Sequence, residues 1–142
     1  MRGNHFESLT GIGYKAALSL VRGEENATLS GYAQVKGALV ENNVFKECVL
    51  AMCVNYGGDK MTLPVVDSTI RNNTLVSTND ANYIVRCYDT ATDSTINWEG
   101  NTLYGRIKTN VFSLSTTKTL PTLEDVSAKR NAIASAAGAS WD

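Results

Sequence analysis

Short apolar and alternating runs recur along this chain, separated by polar stretches rich in Asn, Thr, Ser and Gly. Ala17-Leu18-Ser19-Leu20-Val21 alternates apolar with small polar positions, and Val49 to Val54 is almost wholly apolar. Tyr83-Ile84-Val85-Arg86-Cys87-Tyr88 and Ile107-Lys108-Thr109-Asn110-Val111-Phe112 are rich in β-branched and aromatic residues. Such side chains fit a pleated surface, so these runs predict short strands. The unbroken apolar character of 49–54 is that of a strand buried in a solenoid. Gly57-Gly58-Asp59 and Ser77-Thr78-Asn79-Asp80 predict loops.

A repeat orders these strands. Gly3-Asn4-His5-Phe6, Val40-Glu41-Asn42-Asn43-Val44-Phe45, Ile70-Arg71-Asn72-Asn73-Thr74-Leu75 and Trp98-Glu99-Gly100-Asn101-Thr102-Leu103 share an Asn followed two positions later by an apolar or aromatic residue. The steps from Phe6 to Phe45, to Leu75 and to Leu103 are 39, 30 and 28 residues. A shared motif at unequal spacing predicts successive coils of a solenoid with loops of different length. Asn suits a corner between flat strands because it tolerates left-handed backbone. Its amide is also expected to bond the equivalent Asn one coil away, so that a buried ladder satisfies its own polar groups. The competing reading makes these Asn residues markers of four unrelated surface turns.

The end of the chain changes character. Pro121-Thr122-Leu123-Glu124-Asp125-Val126 opens like a helix with Thr122 as N-cap, and Ser127 to Ala137 is Ala-rich up to Gly138. The expected organisation is a partial solenoid over 1–118 and a part-helical tail over 119–142.

Composition agrees with an all-β reading. The 142 residues are enough for one domain with a core, and 43% are hydrophobic. Charged residues are only 19%, and polar turn-formers fill the gap. The net charge of −1 gives no argument for nucleic acid or an anionic membrane as partner. A local cluster of Lys and Arg remains compatible with an acidic polysaccharide. No apolar run spans a bilayer, and no apolar signal region follows Met1-Arg2-Gly3-Asn4-His5.

Cys48, Cys53 and Cys87 sit among apolar neighbours and form no Cys-x-x-Cys. They read as small buried thiols, with a Cys48–Cys53 bridge as the alternative. One His and three scattered Cys do not make a zinc site.

The segment Arg2-Gly3-Asn4-His5-Phe6-Glu7-Ser8-Leu9-Thr10-Gly11 is similar to one in polysaccharide lyase family six, which holds alginate lyases and chondroitinase B. That family carries an Asn-aromatic-Phe-Glu segment and a Gly-containing loop. A strand like Ala16-Ala17-Leu18-Ser19-Leu20, a loop like Arg22 to Tyr32, and a paired-Asn strand like Ala38 to Phe45 follow in order. The resemblance spans roughly residues 2–106. It implies a right-handed parallel β-helix, here of about four to five coils, acting on uronate polysaccharides by β-elimination. It also implies a secreted or periplasmic location. Such chemistry needs a base beside the uronate carboxylate, an acid at the leaving oxygen, and a charge to neutralise the intermediate. In the family resembled these are a Lys, an Arg within Arg-His-Gly, and Ca²⁺ held by acidic and amide side chains.

The catalytic part of that pattern is absent. No Arg-His-Gly occurs, and the single His, His5, stands where the family has an aromatic residue. In the family the catalytic groups and Ca²⁺ ligands precede the Asn-aromatic-Phe-Glu segment, which begins here at residue 4. The expectation is therefore a C-terminal fragment of a lyase with no catalytic residue and no cofactor site of its own. Its expected partners are an acidic polysaccharide and either the missing N-terminal coils or a second copy at the open end.

Three residues are the candidates for holding substrate. By position, Lys15 and Lys60 are the nearest counterparts of basic residues that the resembled family places on later coils. A cation there would pair with a carboxylate or sulfate, and Tyr56 would stack on a sugar ring. Against this, a loop Lys is commonly a solvated charge. His5 reads as a partly packed structural residue with Phe6 pointing into the core. Glu7 reads either as a residue that orients its loop or as a partner for a basic side chain, and Trp98 and Trp141 read as packing residues. The competing function is a non-catalytic β-helix that binds carbohydrate or serves as a structural surface element.

Overall fold

A computed structural model describes residues 1–11, 15–28, 32–79, 81–88, 95–109 and 118–119. Their strands are β1 (His5–Glu7), β2 (Leu18–Leu20), β3 (Leu39–Glu41), β4 (Val44–Lys46), β5 (Leu50–Val54), β6 (Ser68–Arg71), β7 (Thr74–Val76), β8 (Tyr83–Cys87), β9 (Ile96–Glu99), β10 (Thr102–Tyr104), β11 (Arg106–Thr109) and β12 (Lys118–Thr119). The fold is all-β. The strands form three sheets, ordered β1-β4-β7-β10-β12, β2-β5-β8-β11 and β3-β6-β9. Every strand pairing is parallel. From β1 to β11 the chain visits the three sheets in fixed rotation, an arrangement compatible with a β-helix, and β12 lies again in the sheet of β10.

The sequence repeat sets the register. Phe6 pairs with Phe45, Phe45 with Leu75 and Leu75 with Leu103, so the 39-, 30- and 28-residue steps each make one pass around the sheets. Each pass holds three strands, two of them flanking the Asn corner. The sequence patterns singled out mainly the third, whose members are β2, β5, β8 and β11; the two flanking strands are three or four residues long and are joined through the corner, which masks their alternation.

Side chains at matching positions stack into interior columns. One runs Val40, Ile70, Trp98 and another Phe6, Phe45, Leu75, Leu103; a third runs Leu18, Met52, Val85 and a fourth Leu20, Val54, Cys87. Phe6 and Phe45 lie ring on ring, with centroids 5.0 Å apart. Burying side chains of this size contributes about 1.5–3 kcal/mol each. Trp98 is a packing residue, as expected. All three cysteines are buried and free, so the Cys48–Cys53 alternative is not formed.

The expected Asn ladder is present. Nδ2 of Asn4 donates to Oδ1 of Asn43 (3.0 Å), Asn43 to Asn73 (2.9 Å) and Asn73 to Asn101 (3.0 Å). The backbone N–H of each donating Asn reaches the same oxygen. The left-handed residue is its neighbour. Gly3, Asn42, Asn72 and Gly100 have φ of 67°, 56°, 54° and 61°. Turning the corner and making the ladder are thus divided between adjacent residues.

The outer face of the three-stranded sheet carries alternating charge. Glu41 bonds Arg2 on one side and Arg71 on the other, at 2.7 Å to the latter. Arg71 in turn lies 3.8 Å from Glu99. The two guanidinium groups, Arg71 foremost, hold the Glu41 carboxyl below its ordinary pKa, against the opposing effect of burial. The helix expected between residues 121 and 138 and Trp141 lie outside the described residues.

Candidate functional site

The sheet β2-β5-β8-β11 carries a cluster of aromatic and cationic side chains. In β8, Val85 and Cys87 join the core, so Arg86 between them faces outward. The same alternation turns Cys53 outward in β5, directly opposite Arg86 in register. The Arg86 guanidinium lies 5.5 Å from the Tyr83 ring centre and 5.4 Å from that of Tyr88. Tyr56, just past β5, meets Tyr88 edge-on at 5.3 Å. Nε of Arg86 is buried, with no hydrogen-bond partner among the described residues.

This cluster has a definite electrostatic character. Desolvation pushes the Tyr88 phenol above its ordinary pKa, and Arg86 partly offsets that. Burial likewise pushes the Cys53 thiol up, with Arg86 again opposing. Tyr88 therefore offers a neutral ring at neutral pH, and Arg86 supplies a positive charge between that ring and the ring of Tyr83.

The three residues expected from sequence divide between the two ends of this sheet's parallel strands. Tyr56 and Lys60 share the loop leaving the C-terminal end of β5, with Tyr56 half-buried and Lys60 exposed. That loop is held down from the preceding pass. Arg22 N donates to Tyr56 O (2.9 Å), Arg22 Nη2 to Thr62 O (3.0 Å), and Gly23 exchanges backbone bonds of 2.8 and 2.9 Å with Leu63. Close packing explains Gly57, where a Cβ would meet Met61 and Arg22 side chains at 2.9 and 3.0 Å. Lys15 is exposed and precedes β2, at the opposite, N-terminal end of the strands. At ~3.3 Å per residue the five residues from Lys15 to Leu20 reach up to about 17 Å. The structure thus groups Tyr56 and Lys60 and leaves Lys15 apart.

Arg86, Tyr83 and Tyr88 were not among the sequence candidates. The available signal was a single Arg inside an otherwise apolar and aromatic strand. Such an Arg stands out only when the strand is known to be flat against a core on one face.

The other singled-out side chains are occupied structurally. Glu7 pairs with Lys46 at 2.8 Å, as expected of a partner for a basic residue, and His5 Nε2 lies 3.4 Å from Glu7. Phe6 packs against the core, as expected. Asn72-Asn73-Thr74 is a corner in which Asn73 is a ladder member.

Among the described residues no three His, Cys, Asp or Glu side chains converge. Glu41 is engaged by Arg2 and Arg71, and Glu47 by Ser77 and Thr78. Asp67 accepts from the hydroxyl of Thr95. No family model matches the chain, and no curated protein or solved structure matches it.

Proposed function

We propose that this chain is a set of C-terminal coils of a right-handed parallel β-helix that holds an acidic, uronate-containing polysaccharide, without performing the cleavage itself. The observation that carries this reading is Arg86, a fixed cation set between the Tyr83 and Tyr88 rings on an outward sheet face. A guanidinium pairs with a carboxylate or sulfate, and an aromatic ring takes the apolar side of a sugar. Tyr56 extends the aromatic surface, and Lys60 adds a mobile-headed cation beyond it. Lys15 would contact the polymer only where it runs on across the sheet.

The resemblance to polysaccharide lyase family six over residues 2–106 supports a uronate polymer of the alginate or chondroitin type, and a secreted or periplasmic setting. A base, an acid and a charge-neutralising Ca²⁺ would come from coils outside this sequence. A second reading is a non-catalytic β-helix that binds carbohydrate or serves as a surface element; the lack of any Arg-His-Gly in the sequence favours it.

The test is titration calorimetry with alginate and with dermatan sulfate, run beside an assay of ultraviolet absorbance from unsaturated uronate. The expected result is salt-sensitive binding without absorbance growth, weakened about tenfold by Arg86→Gln, the loss of one charge-assisted contact. Equal binding by wild type and Arg86→Gln, or none by wild type, overturns the site. Absorbance growth overturns the non-catalytic assignment.

A further inference from the structure

We propose that the end of the molecule formed by Met1, Phe6, Leu18 and Leu20, with the edges of β1 and β2, docks one further parallel β-coil that presents an Asn amide to Asn4 and an acidic side chain to Arg2. The inference rests on the coil reading of the fold and not on the polysaccharide.

Three separate patterns stop at this end in an unfinished state. The first is the ladder. Asn43 and Asn73 each accept two bonds at Oδ1 from the Asn before them. Asn4 donates in the same way, yet among the described residues no donor reaches its Oδ1. The second is the interior columns. Val40, Ile70, Phe45, Leu75, Met52 and Val54 are at most 2% exposed. Met1, which lies over the Val40 column through the Arg2–Glu41 pairing, is 41% exposed, and Phe6, Leu18 and Leu20 are only partly covered. The third is charge. The order Arg2, Glu41, Arg71, Glu99 alternates from pass to pass, and the Arg2 side chain is 71% exposed. The next position in that series calls for a carboxylate.

These patterns also specify the occupant. A strand added to β1 and β2 would gain backbone bonds at sheet edges that pair on one side only. The ladder requires it to carry Asn at one corner position. A second copy of this chain does not offer that. The far end of the same sheet is β12, in register with β10, and the residue before Lys118 is Thr117, where the other strands have Asn. The surface therefore fits a coil of this repeat's own kind better than a head-to-tail copy.

The experiment joins a copy of residues 40–69 ahead of Met1. The copied Asn43 then precedes Asn4 by 30 residues, the step from Asn43 to Asn73, and the copied Glu41 meets Arg2. Amide hydrogen exchange and thermal unfolding are compared with and without the prefix, using protection of residues 50–54 as the check that the body is folded. The expected result is one unfolding transition at higher temperature, with exchange at residues 5–7 and 18–20 slowed about tenfold or more. A second prefix carrying Asn43→Ala and Glu41→Arg in the copy is expected to lose most of that protection.

An unprotected prefix on a folded body overturns the proposal, as does equal protection by both prefixes. Concentration-dependent dimers of the unprefixed chain that protect the same strands also overturn it, by making a second copy the occupant. Polymer binding through Arg86, measured on the same proteins, separates failure of this inference from failure of the proposed function.

Discussion

The backbone N–H and the side-chain Nδ2 of Asn73 converge on one oxygen, Oδ1 of Asn101, each at 3.0 Å. Asn73 in turn accepts the same pair of bonds from Asn43, and its amide also donates to Val40 O at 3.0 Å. Truncating it strands several buried polar groups at once. Asn73→Ala is expected to cost about 3 kcal/mol, and Asn4→Ala, at the exposed end of the ladder, about 1 kcal/mol or less. Urea denaturation of the two variants checks this. Equal losses would mean that the ladder does not act as a buried network.

Corner geometry yields a second prediction. Gly100 has a φ of 61°, and a Cβ there would sit 2.4 Å from Oδ1 of Asn72. Gly100→Ala should therefore destabilise by about 1–2 kcal/mol from backbone conformation alone, with the collision in addition. Asn72→Gly removes the colliding atom and keeps the left-handed residue. The double variant should recover part of the loss, and a double-mutant cycle measures how much. Strict additivity would exclude the contact as a cause.

The repeat made the topology legible in the sequence, because in parallel strands the spacing of Phe6, Phe45, Leu75 and Leu103 is also their register. The Asn ladder was legible for the same reason. What sequence did not reveal was the division of work at each corner. Asn42-Asn43 and Asn72-Asn73 are identical pairs, and only Gly3 and Gly100 hint that the first member is the left-handed one. Site residues were harder still. Lys15 and Lys60 are candidates through the resemblance alone, as positional counterparts of basic residues on later coils, and an exposed Lys carries no geometric constraint. Arg86 gains its meaning from Tyr83, Tyr88 and Cys53, and the last of these is on another strand.

Acid should act on the charge column. Arg71 and Arg2 hold the Glu41 carboxyl below its ordinary pKa in the folded chain. Its contribution to stability is complete above the ordinary carboxylate range and is lost as pH falls through the depressed folded value. Denaturation midpoints followed from about pH 6 to about pH 3 should therefore decline at the acid end. Glu41→Gln removes the titration, so its midpoint should be lower at neutral pH and decline less steeply. Parallel profiles for the two proteins would place the acid sensitivity elsewhere.

Cys53 offers a direct probe of the proposed binding face. It faces outward yet has no exposed surface, and Arg86 lies opposite it on the neighbouring strand. Burial raises its pKa, as it does for Cys48, so little thiolate is present at neutral pH. The native chain should react slowly with a thiol reagent such as DTNB, and all three cysteines should react in denaturant. Arg86→Ala should speed one thiol by about tenfold or more through local opening. Electrostatics works against that gain, because Arg86 lowers the Cys53 pKa and its removal leaves less thiolate. A faster rate therefore reports exposure. Adding Cys53→Ser to Arg86→Ala should abolish the fast phase; if it persists, another thiol has opened and Arg86 is not the cover of Cys53.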